Sequence, residues 1–264
     1  DENTAVGYQA LDATTTASYN TAMGSSALTD NTTGTKNTAL GRSAMSGNVS
    51  ADENVAIGYY SLVGNTTGAN NTAVGAHALD ANTTASYNTA VGHGTLGANT
   101  EGAQNIAVGA SALDANTTGN ENTAVGYQAL DANTTASYNT AMGSSALLLN
   151  TTGTKNTALG RSAMSGNVSA DENVAIGYYS LVGNTTGANN VAVGAHALDA
   201  NTTASYNTAM GHGSLGANTT GTGNTASGYQ ALLVSTTANY NTAMGGLSLN
   251  ANTTGAENTA VGYQ

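Results

Sequence analysis

The chain has 264 residues, a formal net charge of −11 and no Trp, Phe, Pro or Cys, whereas glycine accounts for 34 residues. Protein interiors are tightly packed, so a chain without these bulky side chains suits a thin body filled by small residues. The absence of Cys excludes disulfides and thiolate metal ligands. Only four basic residues are present, which argues against nucleic acid or anionic lipid as partners. No apolar run is long enough to insert into a membrane.

A 17-residue motif runs through the whole chain in 16 copies, without insertion or deletion. With Asp1 as register 1, registers 3, 5 and 7 are always Asn, Ala and Gly. Register 6 is a medium-sized apolar residue except at Ser227, register 11 is Leu or Met, and register 14 is nearly always Asn. The residues that define these predicted structural ladders are Asn3, Ala5, Val6, Gly7, Leu11, Asn20, Asn37 and Asn54.

The repeat predicts an all-β fold, a parallel β-solenoid (β-roll) with one coil per 17 residues. Helical repeats are longer, and invariant Gly with Asn-Thr-Thr disfavours helix. We expect a strand at registers 3–6, a bend at Gly7, a second strand at registers 8–11 and a turn at Asn-Thr-Thr. Residues 1–264 then form one array of about 15.5 coils, spaced by about 4.8 Å, with near-duplicate blocks 1–119 and 120–238. Both ends fall inside a repeat, so the array is expected to be a fragment of a longer one.

Side-chain alternation predicts self-association. Neighbouring residues on a strand face opposite sides, yet registers 5 and 6 are both apolar, as are registers 10 and 11. A single coil needs only one dry side. We therefore expect the Ala5 row inside the coil and the Val6 and Leu11 rows against partner chains, most simply in a homotrimer or a higher fibre. Which apolar row lies against the partner is left open.

The repeat resembles those of known fibre proteins. Residues 122–138, which read N-T-A-V-G-Y-Q-A-L-D-A-N-T-T-A-S-Y, resemble repeats of large bacterial and phage tail-fibre-like proteins. The N-x-A-V-G-x-x-A core is similar to the head repeats of trimeric autotransporter adhesins. The resemblance implies a trimeric, left-handed β-roll used in surface attachment, located outside the cell, at the cell surface or on a virion tail. The expected function is a structural and adhesive fibre segment.

Surface rings are the main candidates for recognition. All 13 tyrosines lie at registers 2, 8 or 9, where they could stack on a carbohydrate or another cell-surface ligand, cover seams between chains, or stack on one another. Paired histidines one coil apart could hold a metal or sense pH, but strand alternation would place registers 8 and 9 on opposite faces. The surface-binding candidates are Tyr8, Tyr59, Tyr60, His77, His93, Tyr127, Tyr178, Tyr179, His196 and His212.

Chemistry beyond surface contact is not predicted. Recurrent Asp at register 12 suits Ca²⁺ but lacks the dense acidic loops of calcium solenoids, so no cofactor is expected. No catalytic motif is present, and the chain is not expected to be an enzyme. Ten Asn-Thr-Thr triplets match the glycosylation sequon, although turn geometry alone explains them. The alternative function is an ice-binding solenoid, suggested by Thr columns at registers 4, 15 and 16, with Val55, Ile106, Val174 and Val191 interrupting the first.

Overall fold

The computed structural model describes residues 2–264, which form two compact units that meet in sequence at Thr135 and Ala136. Every regular element is a three-residue strand at registers 4–6. The first unit holds β1–β8: Thr4–Val6, Thr21–Met23, Thr38–Leu40, Val55–Ile57, Thr72–Val74, Thr89–Val91, Ile106–Val108 and Thr123–Val125. The second holds β9–β16: Thr140–Met142, Thr157–Leu159, Val174–Ile176, Val191–Val193, Thr208–Met210, Thr225–Ser227, Thr242–Met244 and Thr259–Val261.

Within each unit, consecutive strands pair in parallel and in register. Ala73 of β5 lies opposite Ala90 of β6, 17 residues later, and the same offset holds from β9 to β16. The predicted parallel β-solenoid with 17-residue coils is therefore confirmed. Neither unit contains a helix among the described residues.

The predicted second strand, at registers 8–11, is wrong. These residues form turns instead, closed by bonds such as Ala78 N–H to Gly75 O at 3.4 Å and Asn82 N–H to Leu79 O at 3.2 Å. Registers 9 and 11 lie in the left-handed region, as His77 (φ 58°) and Leu79 (φ 53°) illustrate. This conformation is uncommon for residues other than glycine, and the sequence carries no Gly or Asn signal for it at register 11.

The turns place both register 10 and register 11 inside the coil, whereas a strand would direct these neighbouring side chains to opposite faces. Ala78 at register 10 and Leu79 at register 11 are both fully buried, as is Ala73 at register 5. The prediction that the Ala5 row is interior is confirmed by its internal copies. The prediction that the Leu11 row could face a partner chain is wrong, because the leucines and methionines of that row fill the coil.

Register 3 forms the predicted Asn ladder. Asn71 accepts a hydrogen bond from the Asn88 N–H at 2.9 Å, and its own N–H donates to Asn54 Oδ1 at 2.8 Å. Its Nδ2 donates across the coil to Ala85 O at 2.8 Å. The Asn71 side chain is fully buried, so its hydrogen-bond partners come from the ladder and not from solvent. A buried amide that is fully hydrogen-bonded stabilises the fold, whereas one without partners destabilises it.

Register 14 forms a second ladder, whereas the repeat pattern indicates only a turn at Asn-Thr-Thr. Asn82 Nδ2 donates to Asn65 Oδ1 at 2.8 Å and to Ala85 O at 3.0 Å. Both ladders thus meet at the carbonyl of register 17. The sequon asparagines are fully buried from Asn31 to Asn218, so their amide nitrogens are inaccessible to glycan transfer in the folded chain.

Ser235 interrupts this second ladder. Its hydroxyl and Asn218 Oδ1 are buried without a hydrogen-bond partner within residues 2–264. Ser235→Asn is expected to raise the free energy of unfolding by about 1–2 kcal/mol, because it restores a bond to Asn218 and offers an acceptor to Asn252. Denaturant unfolding measures the gain. Ser235→Ala is the control, since it removes a hydroxyl without a partner and should be nearly neutral; equal stability of the two variants would contradict the ladder.

Candidate surface-binding sites

The first candidate site is the outward side of the strands, here called the outer face, which consists of registers 4 and 6. Register 5 points into the coil, so registers 4 and 6 both point out. The apolar side chains of register 6 are exposed in many coils, for example 38% at Ile57 and 46% at Met142, and half-buried in others, such as Val74 and Val125. No charged residue occurs at registers 3–7 in any coil. Each unit therefore carries a neutral row of exposed and half-buried apolar side chains, interrupted only at Ser227 in the second.

The second candidate site is a group of rings beside the outer face, here called the aromatic–histidine patch. In the first unit it comprises Tyr59, Tyr60, His77, Asp80 and His93, which come from three consecutive coils. The Tyr60 and His77 rings are stacked, with centroids 5.7 Å apart and planes 10° apart. Tyr59 meets Tyr60 edge-on at 4.4 Å. The patch is a continuous run of rings at the surface.

The structure corrects the prediction that His77 and His93 lie on opposite faces. Their ring centroids are 6.3 Å apart. Strand alternation does not apply, because registers 8 and 9 belong to turns and the left-handed residue at register 9 redirects its side chain. His77 Nδ1 also lies 2.9 Å from Asp80 Oδ2, a contact three residues along the turn. The paired imidazoles thus share one surface.

The second unit repeats the patch with the same geometry. Tyr179 and His196 are stacked at 5.8 Å, His196 Nδ1 lies 3.1 Å from Asp199 Oδ2, and the His196 and His212 centroids are 6.0 Å apart. His212 also stacks on Tyr229 at 5.7 Å. The first unit has Ala110 at the position equivalent to Tyr229, so the two patches differ at this edge.

The stacking within the patches limits their use for sugar recognition. A ring binds a sugar through its open face, but Tyr60 and His77 cover each other, and the Arg42 guanidinium carbon lies 5.7 Å from the centre of the Tyr59 ring. The same contact joins Arg161 to Tyr178. Eight further exposed tyrosines lie outside the patches: Tyr8, Tyr19, Tyr87, Tyr127, Tyr138, Tyr206, Tyr240 and Tyr263.

A column of carboxylates at register 12 flanks the first patch. A Cβ atom at Gly97 would lie 2.6 Å from Asp114 Oδ1 and 3.7 Å from Asp80 Oδ1, so both carboxylates approach that glycine. Burial raises the pKa of Asp114, and the Asp80 charge raises it further, while the Gly97 amide and His93 act in the opposite direction. Burial and the Asp114 charge likewise raise the pKa of Asp131. The column therefore concentrates negative charge beside His93.

Neutralising this column is expected to stabilise the chain at neutral pH. The pKa of Asp114 and of Asp131 in the folded chain lies above the ordinary value of 3.8. Ionisation of these carboxyls therefore lowers the free energy of unfolding when the pH is above their folded-state pKa, and this loss disappears as the pH falls towards 3.8. Asp114→Asn and Asp131→Asn should each add about 0.2–1 kcal/mol at pH 7. Thermal unfolding at pH 7 and pH 3.5 measures the effect. Asp30→Asn, at an exposed carboxylate outside the column, is the control, and an equal gain at both pH values would contradict the explanation.

The remaining features bear on cofactors and on the threonine columns. Residues 2–264 enclose no pocket and contain no group of three or more His, Asp or Glu side chains that could hold a metal ion. They include no helix able to cross a membrane. At register 15, Thr32 Oγ1 donates to Val49 O of the next coil at 3.0 Å. The hydroxyls of that column are therefore engaged in bonds between coils.

Comparison with known proteins leaves the family of the chain unassigned. No family model, no curated protein and no solved structure matches it.

Proposed function

We propose that this chain is the structural segment of an extracellular or virion-tail fibre, in which copies associate through the outer face to form a homotrimer of left-handed coils. The observation that carries the proposal is the row of exposed and half-buried apolar side chains at register 6, which lies over an interior already filled by other rows. The resemblance to fibre repeats supports the number of chains, the handedness and the adhesive role.

A second copy of the chain is the partner that fits this row best. Apolar side chains recur once per coil, about 4.8 Å apart, and another solenoid with the same coil matches that spacing coil by coil within each unit. The absence of charge at registers 3–7 lets two copies approach despite the net charge of −11. Each half-exposed valine that becomes buried would stabilise the assembly by about 1 kcal/mol, and the row adds many such contributions.

Charge substitution in the row tests the proposal. Val91→Asp with Val125→Asp should convert the assembly to monomers in light scattering, because buried unpaired carboxylates are costly. The matched control, Asn70→Asp with Gln104→Glu, adds the same charge at exposed register 2. Circular dichroism establishes that all variants stay folded. A wild-type chain that is a folded monomer at every concentration would overturn the proposal.

Attachment to carbohydrate or another cell-surface ligand is part of this proposal, through the exposed tyrosines outside the patches. Rings such as Tyr87 and Tyr206, exposed by 63% and 68%, have faces open to stack on sugar rings. Glycan-array binding by the wild-type chain, lost in Tyr→Ser variants at register 2, is the expected result.

Ice binding is retained as the second candidate, on one observation. The outer face sets a threonine column at register 4 beside the apolar column at register 6. Register 15 is less suited, because its hydroxyls bond between coils. Thermal hysteresis in the wild-type chain that disappears in Thr72→Tyr and Thr89→Tyr variants is the outcome expected from ice binding; its absence in the wild type excludes this candidate.

A further inference from the structure

We propose that each aromatic–histidine patch binds a divalent transition-metal ion of the zinc class through its paired imidazoles, His77 with His93 and His196 with His212. Water completes the coordination of each ion. This inference does not depend on the fibre function, because it concerns surfaces beside the outer face.

The contact with aspartate sets the tautomer of the first imidazole. An ionised carboxylate can only accept hydrogen bonds, so His77 Nδ1 must carry the proton that it donates to Asp80 Oδ2 at 2.9 Å. Neutral imidazole then has its lone pair on Nε2. A carboxylate behind a histidine in this way is the usual outer-shell arrangement of metal-binding histidines. His196 and Asp199 repeat it at 3.1 Å.

The second imidazole is close enough to share an ion. Zinc–nitrogen bonds of about 2.0–2.1 Å place two tetrahedral imidazole ligands with ring centroids about 5 Å apart. The observed separations are 6.3 Å for His77 with His93 and 6.0 Å for His196 with His212. These separations exceed the required value by about 1 Å, and His93 and His212 are exposed, so their side chains are free to rotate towards the first imidazole. Imidazole ligands favour zinc, copper and nickel over calcium.

The local charge favours a cation, and more so in the first unit. Asp80 and Asp114 both approach Gly97, and Asp114 lies close enough to His93 for the two to interact electrostatically. A bound cation would offset that concentration of negative charge. In the second unit, Leu233 takes the position equivalent to Asp114. The first patch is therefore expected to bind the ion more tightly than the second.

Zinc titration of the tag-free full chain tests the proposal. Calorimetry should show two ions per chain, with unequal affinities. His93→Ala with His212→Ala should weaken binding at both sites by about tenfold or more, since one ligand of each pair is lost. Asp80→Asn with Asp199→Asn should weaken it by about 10–100-fold through the outer shell. Asp30→Asn, outside both patches, should leave both affinities unchanged.

Two further readouts separate coordination from nonspecific attraction. The chain has only four histidines, so ¹⁵N spectra of the imidazoles should show zinc-induced shifts at Nε2 of His77 and His196, whose Nδ1 stays protonated, and at one ring nitrogen of His93 and of His212. Asp114→Asn should lower the affinity of the first site towards that of the second. Zinc binding that survives unchanged in the His93→Ala, His212→Ala variant, or shifts confined to one histidine of each pair, would overturn the proposal.

Discussion

Gly75→Ala is expected to cost about 3–5 kcal/mol in the free energy of unfolding and to disrupt the coils around it. Gly75 has a φ of 138°, which residues with a side chain rarely adopt, and an added Cβ would overlap the carbonyl oxygen of Gly92. Neither the strain nor the overlap can be relieved by a rotamer change, because the obstructing atom belongs to the backbone of the next coil. Thermal unfolding by circular dichroism measures the global loss, and hydrogen exchange locates it in β5 and β6.

The matched control is a glycine two registers along the repeat. Gly94 has a φ of 61°, and an added Cβ would meet nothing closer than 4.0 Å. The equivalent residue of the next coil is Ser111, which adopts a φ of 53°. Gly94→Ser should therefore change the stability by less than about 1 kcal/mol. Similar losses in Gly94→Ser and Gly75→Ala would show that the clash between coils is not what makes register 7 invariant.

Asn71→Ala is expected to cost about 2–5 kcal/mol. The substitution removes the acceptor of the Asn88 N–H and the donor to Ala85 O, at a position that is fully buried. A buried group left without a partner costs about 1–3 kcal/mol, and alanine also leaves a cavity. Gln104→Ala, at the exposed register 2, should be nearly neutral. A small effect of Asn71→Ala would mean that the ladder contributes little to stability.

The repeat predicts the parts of the coil in which residue type and backbone conformation agree. At registers 3, 5 and 7 the residue type suits only one structural role. Asn3 supplies an amide for stacking between coils, Ala5 a small side chain for the interior, and Gly7 a backbone with an unusual φ. Leu11 does not indicate a single role, because an apolar residue at that register suits a strand as well as the left-handed turn that the structure contains. The error about Leu11 and the error about the faces of His77 and His93 share this cause.

The second Asn ladder, at register 14, could have been predicted from the sequence, although Asn is also a common turn residue. Register 14 is almost as invariant as register 3, and a turn alone tolerates Asp, Ser or Gly in place of Asn. Asp and Gly side chains cannot both donate to the coil before and accept from the coil after, as Asn82 does between Asn65 and Asn99, and the shorter Ser235 makes neither bond. Near-invariance of the amide itself therefore indicates a ladder.

Distances between spin labels in the first unit test the central claim, that each 17-residue repeat adds one coil. The chain has no Cys, so pairs of introduced cysteines are labelled uniquely. With one label at Tyr19 and the other at Tyr87, Gln104 or Glu121, all of them exposed at register 2, the backbone separations should be about 19, 24 and 29 Å. Steps of about 4.8 Å per repeat are the expected result. Separations of about 60 Å or more, typical of an unfolded chain, or distances that do not grow with the number of repeats, would contradict it.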